Sequence, residues 1–444
     1  MYFCNMHTQL SNFIKEEKLI TKADKVLLAV SGGLDSIVMS HLFAQLDFPL
    51  GIAHCNFCLR GEESDRDADF VEAFAKKMGI PFHHKICNTK EFASDNKISI
   101  QMAARELRFS WFEKLCDDEG YTVYATAHHS DDAIETYFIN QIRGTGISGM
   151  HGIKTKNKRL IHPLLFTNRI EIDNYAKQKA IDFREDSSNS STKYMRNSLR
   201  HNLIPILADI QPSYKSIFMQ NMKRFEAVEK IYLHKIGEEK NRICREEEGR
   251  IHISASGLIK LEESSTYLYE IIKDYGFSYS QAEEIIKSIT EGHAGAKFYA
   301  AGNILLRDRE DLIVSKNIEH KQSIIELDHK TGKIQWPIHL QWESSKDIQI
   351  VNDPKVAMLD LDKLVFPLKV RLWEEGDTFS PLGMKGKKLL SDFFIDLKMN
   401  QFEKESTYLL ISGNKVVWVI GHRIDHRFRI TDKTRSVLKI VNQV

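Results

Sequence analysis

The sequence predicts an α/β protein: a doubly wound parallel sheet at the N-terminal end, then a mostly helical middle domain and a small α+β C-terminal domain. Three observations carry this expectation. Over roughly the first 205 residues, short β-branched apolar runs alternate with segments of helical periodicity, the order that builds βαβ units. Past the Pro205 to Pro212 interval the chain turns to long, charged amphipathic stretches. Beyond about residue 320, strand-like alternation surrounds one helical piece.

In chain order, Val26–Val30 reads as a strand buried on both faces, and the spacing of Ile37, Val38, Leu42, Phe43 and Leu46 as the helix after it. Strands follow at Leu50–His54, Phe82–Ile86 and Thr122–Ala127, separated by the helical patterns DADFVEAFAKKMG and SIQMAARELRFSWFEKLCDDEG. PSYKSIFMQNMKRFEAVEKIYLHKIGEEKNRI reads as a long amphipathic helix, or two. TYLYEIIKDYG and SQAEEIIKSITEG are helices stopped by glycine, and AKFYAAGNILLRDREDLIVSK is a short hairpin. KIQWPIHLQW and NKVVWVIG supply strands around LLSDFFIDLK. The three domains are placed at residues 1–205, 206–318 and 319–444.

With 444 residues, 42% hydrophobic and 28% charged, the composition is that of a globular protein of several domains. The start carries no basic segment followed by an apolar one, and no apolar run is long enough to span a bilayer. Six irregularly spaced cysteines fit reduced thiols, so a cytoplasmic location is expected. The net charge of +1 hides an uneven distribution. Arg143 to Asn202 holds 12 Lys/Arg against 5 Asp/Glu, and Lys369 to Val444 holds 14 against 9. Two basic regions suit a polyanion bound along a track, although each alone also suits a solvated surface.

The chemistry concentrates at three places. SGGLDS, Ser31 to Ser36, falls between the first strand and its helix, where paired glycines accept positive φ and let backbone N–H groups converge on an anion. A tight turn capped by Asp or Ser is the plainer reading. The lysine of the G-x-x-x-x-G-K-[ST] phosphate loop is absent. At the end of the fourth strand, AHHSDDAIET delivers His128, His129, Asp131 and Asp132, with Glu135 one turn on. In a doubly wound sheet this cluster and SGGLDS should meet beyond the carboxyl ends of the strands. The cluster could hold a divalent ion, but no third ligand of fixed geometry is identifiable. Arg143 and the glycines at 144, 146, 149 and 152 are expected to form a flexible basic loop. The third place, Glu185 to Arg200, combines Tyr194 with Arg196, Asn197 and Arg200, residue types suited to RNA phosphates and an unstacked base, or to a capped loop.

SGGLDS resembles the pyrophosphate loop (PP-loop) of ATP pyrophosphatases, a Rossmann-like group. Together with HCNFCLRGEESDRDADFV, AARELRF, TAHHSDDAIET, RGTGISGMHGI, HPLL and EDSSNSSTKYMRNSLRHNLIP, in that order, it resembles the tRNA(Ile)-lysidine synthetase family. The tail, with VRLWEEGDTFSPLGMKGKKLLSDFFIDLK and VVWVIGHRIDHRFRI, resembles that family's C-terminal domain. The resemblance implies a ligase acting on the wobble cytidine of the CAU-anticodon tRNA(Ile). ATP adenylates the carbonyl oxygen at carbon 2 of the cytosine, then free L-lysine attacks that carbon and AMP leaves with the oxygen, with ATP and Mg²⁺ required. It also implies roles. Ser31, Gly32, Gly33, Leu34, Asp35, Ser36 and His54 would hold ATP and pyrophosphate, with Asp35 also toward Mg²⁺. Asp132 and Glu135 would hold lysine. Asp35, Arg108, His128, Asp132 and Glu135 would carry catalysis, while Arg105 is as suited to packing. Arg143, Tyr194, Arg196, Arg200, Lys385, Lys387 and Arg427 would contact tRNA. A homodimer is left open.

HCNFCLR departs from the family's more usual H-x-N-H-x-L-R, with Phe57 in place of the second histidine. Cys55 and Cys58 invite a metal or iron–sulfur reading, against which no second C-x-x-C exists, so structural thiols are expected. The alternative function is a PP-loop tRNA 2-thiolating enzyme, which would need such a cysteine.

Overall fold

The computed structural model describes residues 6–184, 195–292, 294–317, 324–329, 331–346, 348–384 and 386–443. The chain divides into two compact units, one through Leu233 and one from His234.

The first unit opens with helix α1 (Met6–Glu16) and strand β1 (Val26–Ala29), followed by α2 (Leu34–Phe43), β2 (Leu50–Asn56), α3 (Glu62–Met78) and β3 (Phe82–Ile86). Then come α4 (Thr89–Asp95), α5 (Ile100–Glu119), β4 (Val123–Ala125) and α6 (Ser130–Arg143). A hairpin of β5 (Lys156–Asn157) and β6 (Leu160–Ile161) precedes α7 (Arg169–Lys179). The strand order is β3-β2-β1-β4-β6-β5, parallel except for the β5–β6 pairing. All four strands read from the sequence are present, within three residues of the expected ends. The order reverses between β1 and β4, where a doubly wound sheet opens its ligand crevice beyond the strand carboxyl ends. Leu27 and Leu28 in β1 face Tyr124 and Ala125 in β4, and all four are buried. Val26, Leu28, Ile37, Met39, Leu42 and Phe43 form one core layer, while Leu27, Ala53, Phe112 and Tyr124 form the other. Burial of β1 on both faces is why its sequence is continuously apolar.

Residues 195–210 are helical throughout, with a wider π turn at Leu199–Leu203, and a single helix of 30 residues spans Tyr214–Ile243. Tyr214, Phe218 and Met222 on this helix pack with Ala133, Ile134 and Leu165. The first compact unit therefore includes the start of this helix.

In the second unit, helices Ser264–Ile272 and Tyr279–Thr290 share a core with an antiparallel five-stranded sheet. The expected hairpin is three strands, Lys297–Ala300, Asn303–Arg307 and Asp311–Lys316. Cys244–Glu247 and Arg250–Ser254 complete that sheet. The remainder is α+β: a five-stranded and a four-stranded sheet whose shared core includes Trp418, Leu410, Leu359 and Ile440, with helix Leu390–Asp396. Among the described residues no helix is long and apolar enough to cross a membrane.

Candidate active site

The turn after β1 is built by its own hydroxyls. Gly32 sits at φ +94°, a conformation L-residues rarely adopt, and its carbonyl accepts the Arg184 N–H at 3.0 Å. Ser36 Oγ donates to the Gly33 carbonyl at 2.9 Å and accepts the Ser31 N–H at 3.2 Å. This fixes the loop at the N-terminus of α2, whose dipole favours negative charge.

A cavity of about 540 Å³ opens there, lined by Ser31, Gly33, Leu34, Asp35 and Ser36 on one side and by Thr126, His128 and Asp132 on another. The two motifs meet in one crevice. Arg108, Arg169 and Arg184 bring positive charge to it, and Phe57, Phe112 and Phe183 bring rings. Arg108 Nε is buried with no hydrogen-bond partner, and burial depresses its pKa. A desolvated guanidinium with an unused donor in a cavity is suited to an anion. Arg105 lies with its guanidinium 4.7 Å from the Phe109 ring centre, on the ring that Arg108 also approaches at 5.1 Å.

At the start of α6, Asp132 Oδ2 accepts the His129 N–H at 3.1 Å. Burial acts to raise the Asp132 carboxyl, but His129, through its ring and through the N–H that Asp132 accepts, outweighs it and holds the pKa below the ordinary value. His129 is 4% exposed and has three carboxylates around its ring, from Asp35, Asp131 and Asp132, at 4.0, 3.7 and 3.5 Å. His128 Nδ1 lies 2.9 Å from Thr126 Oγ1, and its ring is 5.0 Å from that of His162. Burial pushes the His128 pKa well below its ordinary value, so the imidazole is neutral at neutral pH.

Several expected residues lie elsewhere. Glu135 does not line the cavity; it is 2% exposed and bonded through both oxygens to Arg200, at 2.7 and 3.1 Å, with Arg196 Nε 3.3 Å away. Burial raises its carboxyl against the opposing pull of Arg200, while the same bond holds Arg200 cationic. Arg196 and Arg200 are thus anchored from beneath rather than free. His54 is also outside the cavity: it is buried, its Nδ1 2.8 Å from the Val30 carbonyl. The stretch after Arg143, expected as a flexible basic loop, is anchored at one end. Asn140 Nδ2 donates to the Gly149 carbonyl at 3.0 Å, and a Cβ on Gly152 would meet Met222 Sδ at 2.6 Å, so its far end is packed down while residues 143–146 are exposed. Arg143 itself is exposed at the end of α6. Tyr194 and Lys385 lie outside the described residues. In the second unit Lys387 is exposed, and Arg427 grips the fully buried Asp425 at 2.9 and 2.7 Å.

Arg169 was missed from the sequence. It opens α7 behind Asn168, whose side chain accepts the Ile170 and Glu171 N–H groups, and N-R-I-E is the capping signal that would have placed it. Burial pushes the Cys55 thiol up to about 12, which disfavours the thiolate a metal needs, while Cys58 is exposed. Among the described residues, no group of three or more His, Cys, Asp or Glu side chains is arranged to hold a metal ion.

The fold and the glycine turn define a PP-loop protein, and residues 4–207 match the family model of a PP-loop domain. Residues 246–318 match the TilS substrate binding domain and residues 368–440 the TilS substrate C-terminal domain. The chain is 39% identical to the tRNA(Ile)-lysidine synthase of Parabacteroides distasonis over 97% of its own length and 98% of that protein. It is 38% identical to that of Bacteroides thetaiotaomicron, over 96% and 97%. Among solved structures, the U34-tRNA thiolase NcsA from Methanococcus maripaludis, with its [4Fe-4S] cluster, is similar at 20% identity and a TM-score of 0.40. That similarity covers 49% of this chain and 80% of that one, and assigns no chemistry. The chain belongs to the tRNA(Ile)-lysidine synthase family.

Proposed function

We propose that this protein joins free L-lysine to the wobble cytidine of the tRNA(Ile) bearing a CAU anticodon, consuming ATP. The cytosine carbonyl oxygen at carbon 2 attacks the α-phosphate of ATP and pyrophosphate leaves. The lysine amine then attacks carbon 2, loses a proton, and AMP departs with the oxygen. Adenylation turns a poor leaving group into a good one, which is why the reaction needs cleavage between the α- and β-phosphates.

The observation that carries this reading is the single cavity lined both by the glycine turn after β1 and by Asp132 and His128 after β4. The α2 N-terminus and the Ser31 and Ser36 hydroxyls are suited to the departing pyrophosphate, and Arg108 to the phosphate of the adenylated base. Asp132, held ionised, suits the lysine ammonium. Neutral His128 offers a lone pair beside it for a proton in transit. Glu135 contributes indirectly, by holding Arg196 and Arg200 where RNA phosphates can meet their exposed edges. Asp35 fits Mg²⁺, which is commonly held by one or two carboxylates together with substrate phosphates and water. When bound, it neutralises charge developing on pyrophosphate. Arg143, Tyr194, Lys385, Lys387 and Arg427 are proposed as tRNA contacts, with domains at 1–205, 206–318 and 319–444.

Incubating the protein with ATP, labelled lysine and unmodified tRNA(Ile) tests the reading. ATP-dependent entry of label into RNA supports it. Modification that requires a sulfur donor and not lysine would favour the thiolase.

A further inference from the structure

We propose that Arg169 is a further catalytic residue, parked on Asp35 until nucleotide arrives and then transferred to the polyphosphate. The inference rests on the ATP-dependent reading above. Arg169 Nη1 lies 2.6 Å from each Asp35 oxygen, so the pair is neutral and both carboxylate oxygens are engaged. The guanidinium is half exposed and lines the cavity with Ser31, Arg108 and Arg184. Its backbone is fixed separately: the Arg169 N–H donates to Asp131 Oδ2 at 2.9 Å, and Asp131 is itself paired with Lys215 at 2.5 Å. The side chain can therefore change partner while the start of α7 stays in place.

Asp35 would offer its oxygens to a divalent cation bound with ATP, and Arg169, leaving them, would turn to the anionic phosphate oxygens, which its planar donors match as well as they match a carboxylate. Neither charge is left unpaired during the exchange.

A brace that stays on Asp35 whether or not nucleotide is bound would leave the KM for ATP unchanged, which gives the test. Mn²⁺ is titrated into the full-length protein without nucleotide, followed by electron paramagnetic resonance, for wild type, R169A and R169K. ATP–pyrophosphate exchange is measured alongside, with tRNA present. R169A should bind Mn²⁺ about three- to tenfold more tightly, roughly the worth of a partly exposed ion pair, while the KM for ATP rises about tenfold or more. R169K should fall between, and it carries the test alone if R169A does not fold. Mn²⁺ binding unchanged or weakened in these variants, or an unchanged KM for ATP, would overturn the proposal. Tighter Mn²⁺ binding and a raised ATP KM in a protein that incorporates no lysine would keep Arg169's role and remove the lysine reading.

Discussion

Replacing Glu135 by glutamine removes a carboxylate that is 2% exposed and joined through both oxygens to Arg200, with Arg196 alongside. Two hydrogen bonds to a charged group, in full burial, are together worth about 3–6 kcal/mol. Both arginine side chains are about two-fifths exposed, at 43% and 41%, so water takes over much of their solvation once the carboxylate is gone. Glutamine also keeps one acceptor in place. The discounted cost is about 2 kcal/mol, or about 4–8 °C in the melting midpoint of a unit this size. Freed arginines should also weaken tRNA binding, while the KM for lysine changes less than about twofold because Glu135 lies outside the cavity. Differential scanning calorimetry, tRNA binding at fixed salt and lysine-dependent kinetics read the three quantities. A variant that melts like wild type, binds tRNA normally and has a strongly raised lysine KM would refute the reasoning. It would return Glu135 to the lysine-binding role expected from its place one turn after Asp132.

Three further outcomes are expected. Asp132→Ala should raise the lysine KM by about tenfold or more and leave ATP–pyrophosphate exchange nearly intact; normal lysine kinetics would remove the assignment. Gly32→Ala forces a Cβ onto a residue at φ +94° with Val71 3.4 Å away, costing about 1–2 kcal/mol, so the KM for ATP should rise about tenfold with that for lysine unchanged. His54, His128 and His162 are all held below the ordinary value of 6.5, chiefly by burial, and so fold in the neutral form. Their contribution is complete above about pH 6.5 and is lost as the pH falls below it, because the unfolded chain then binds protons the folded one refuses. Thermal midpoints should drop between pH 7 and pH 5. The pH profile for lysine should lack an inflection near 6.5 that disappears in His128→Gln.

Much of this was legible because local chemistry and global topology agree. The β1–turn–α2 passage announces itself by an apolar run, two glycines and a helical repeat, and the reversal of strand order between β1 and β4 then brings His128 and Asp132 to the same crevice. What escaped the sequence reading depends on distance or brevity. Strands β5 and β6 have two residues each, too few for any period to register. Cys244–Glu247 reads CREE, mostly charged, and is a strand only because Arg250–Ser254 pairs with it. The Asp35–Arg169 pair joins residues 134 apart in the chain, which no periodicity reveals. Glu135 shares a helix with Asp132, but its partners come from the helical segment after residue 195, and that contact decides its role. His54 illustrates the same limit, since its residue type suits a site and its burial against the Val30 carbonyl suits a core.

The central claim is that one crevice activates the base with ATP and then seats the amine. ATP labelled in its α-phosphate, incubated with the protein and tRNA(Ile) but without lysine, tests it most directly. Label should appear on the RNA and leave as AMP when lysine is added, in step with lysidine formation. Release of ADP, or RNA that stays unlabelled while lysine is nonetheless incorporated, would contradict it.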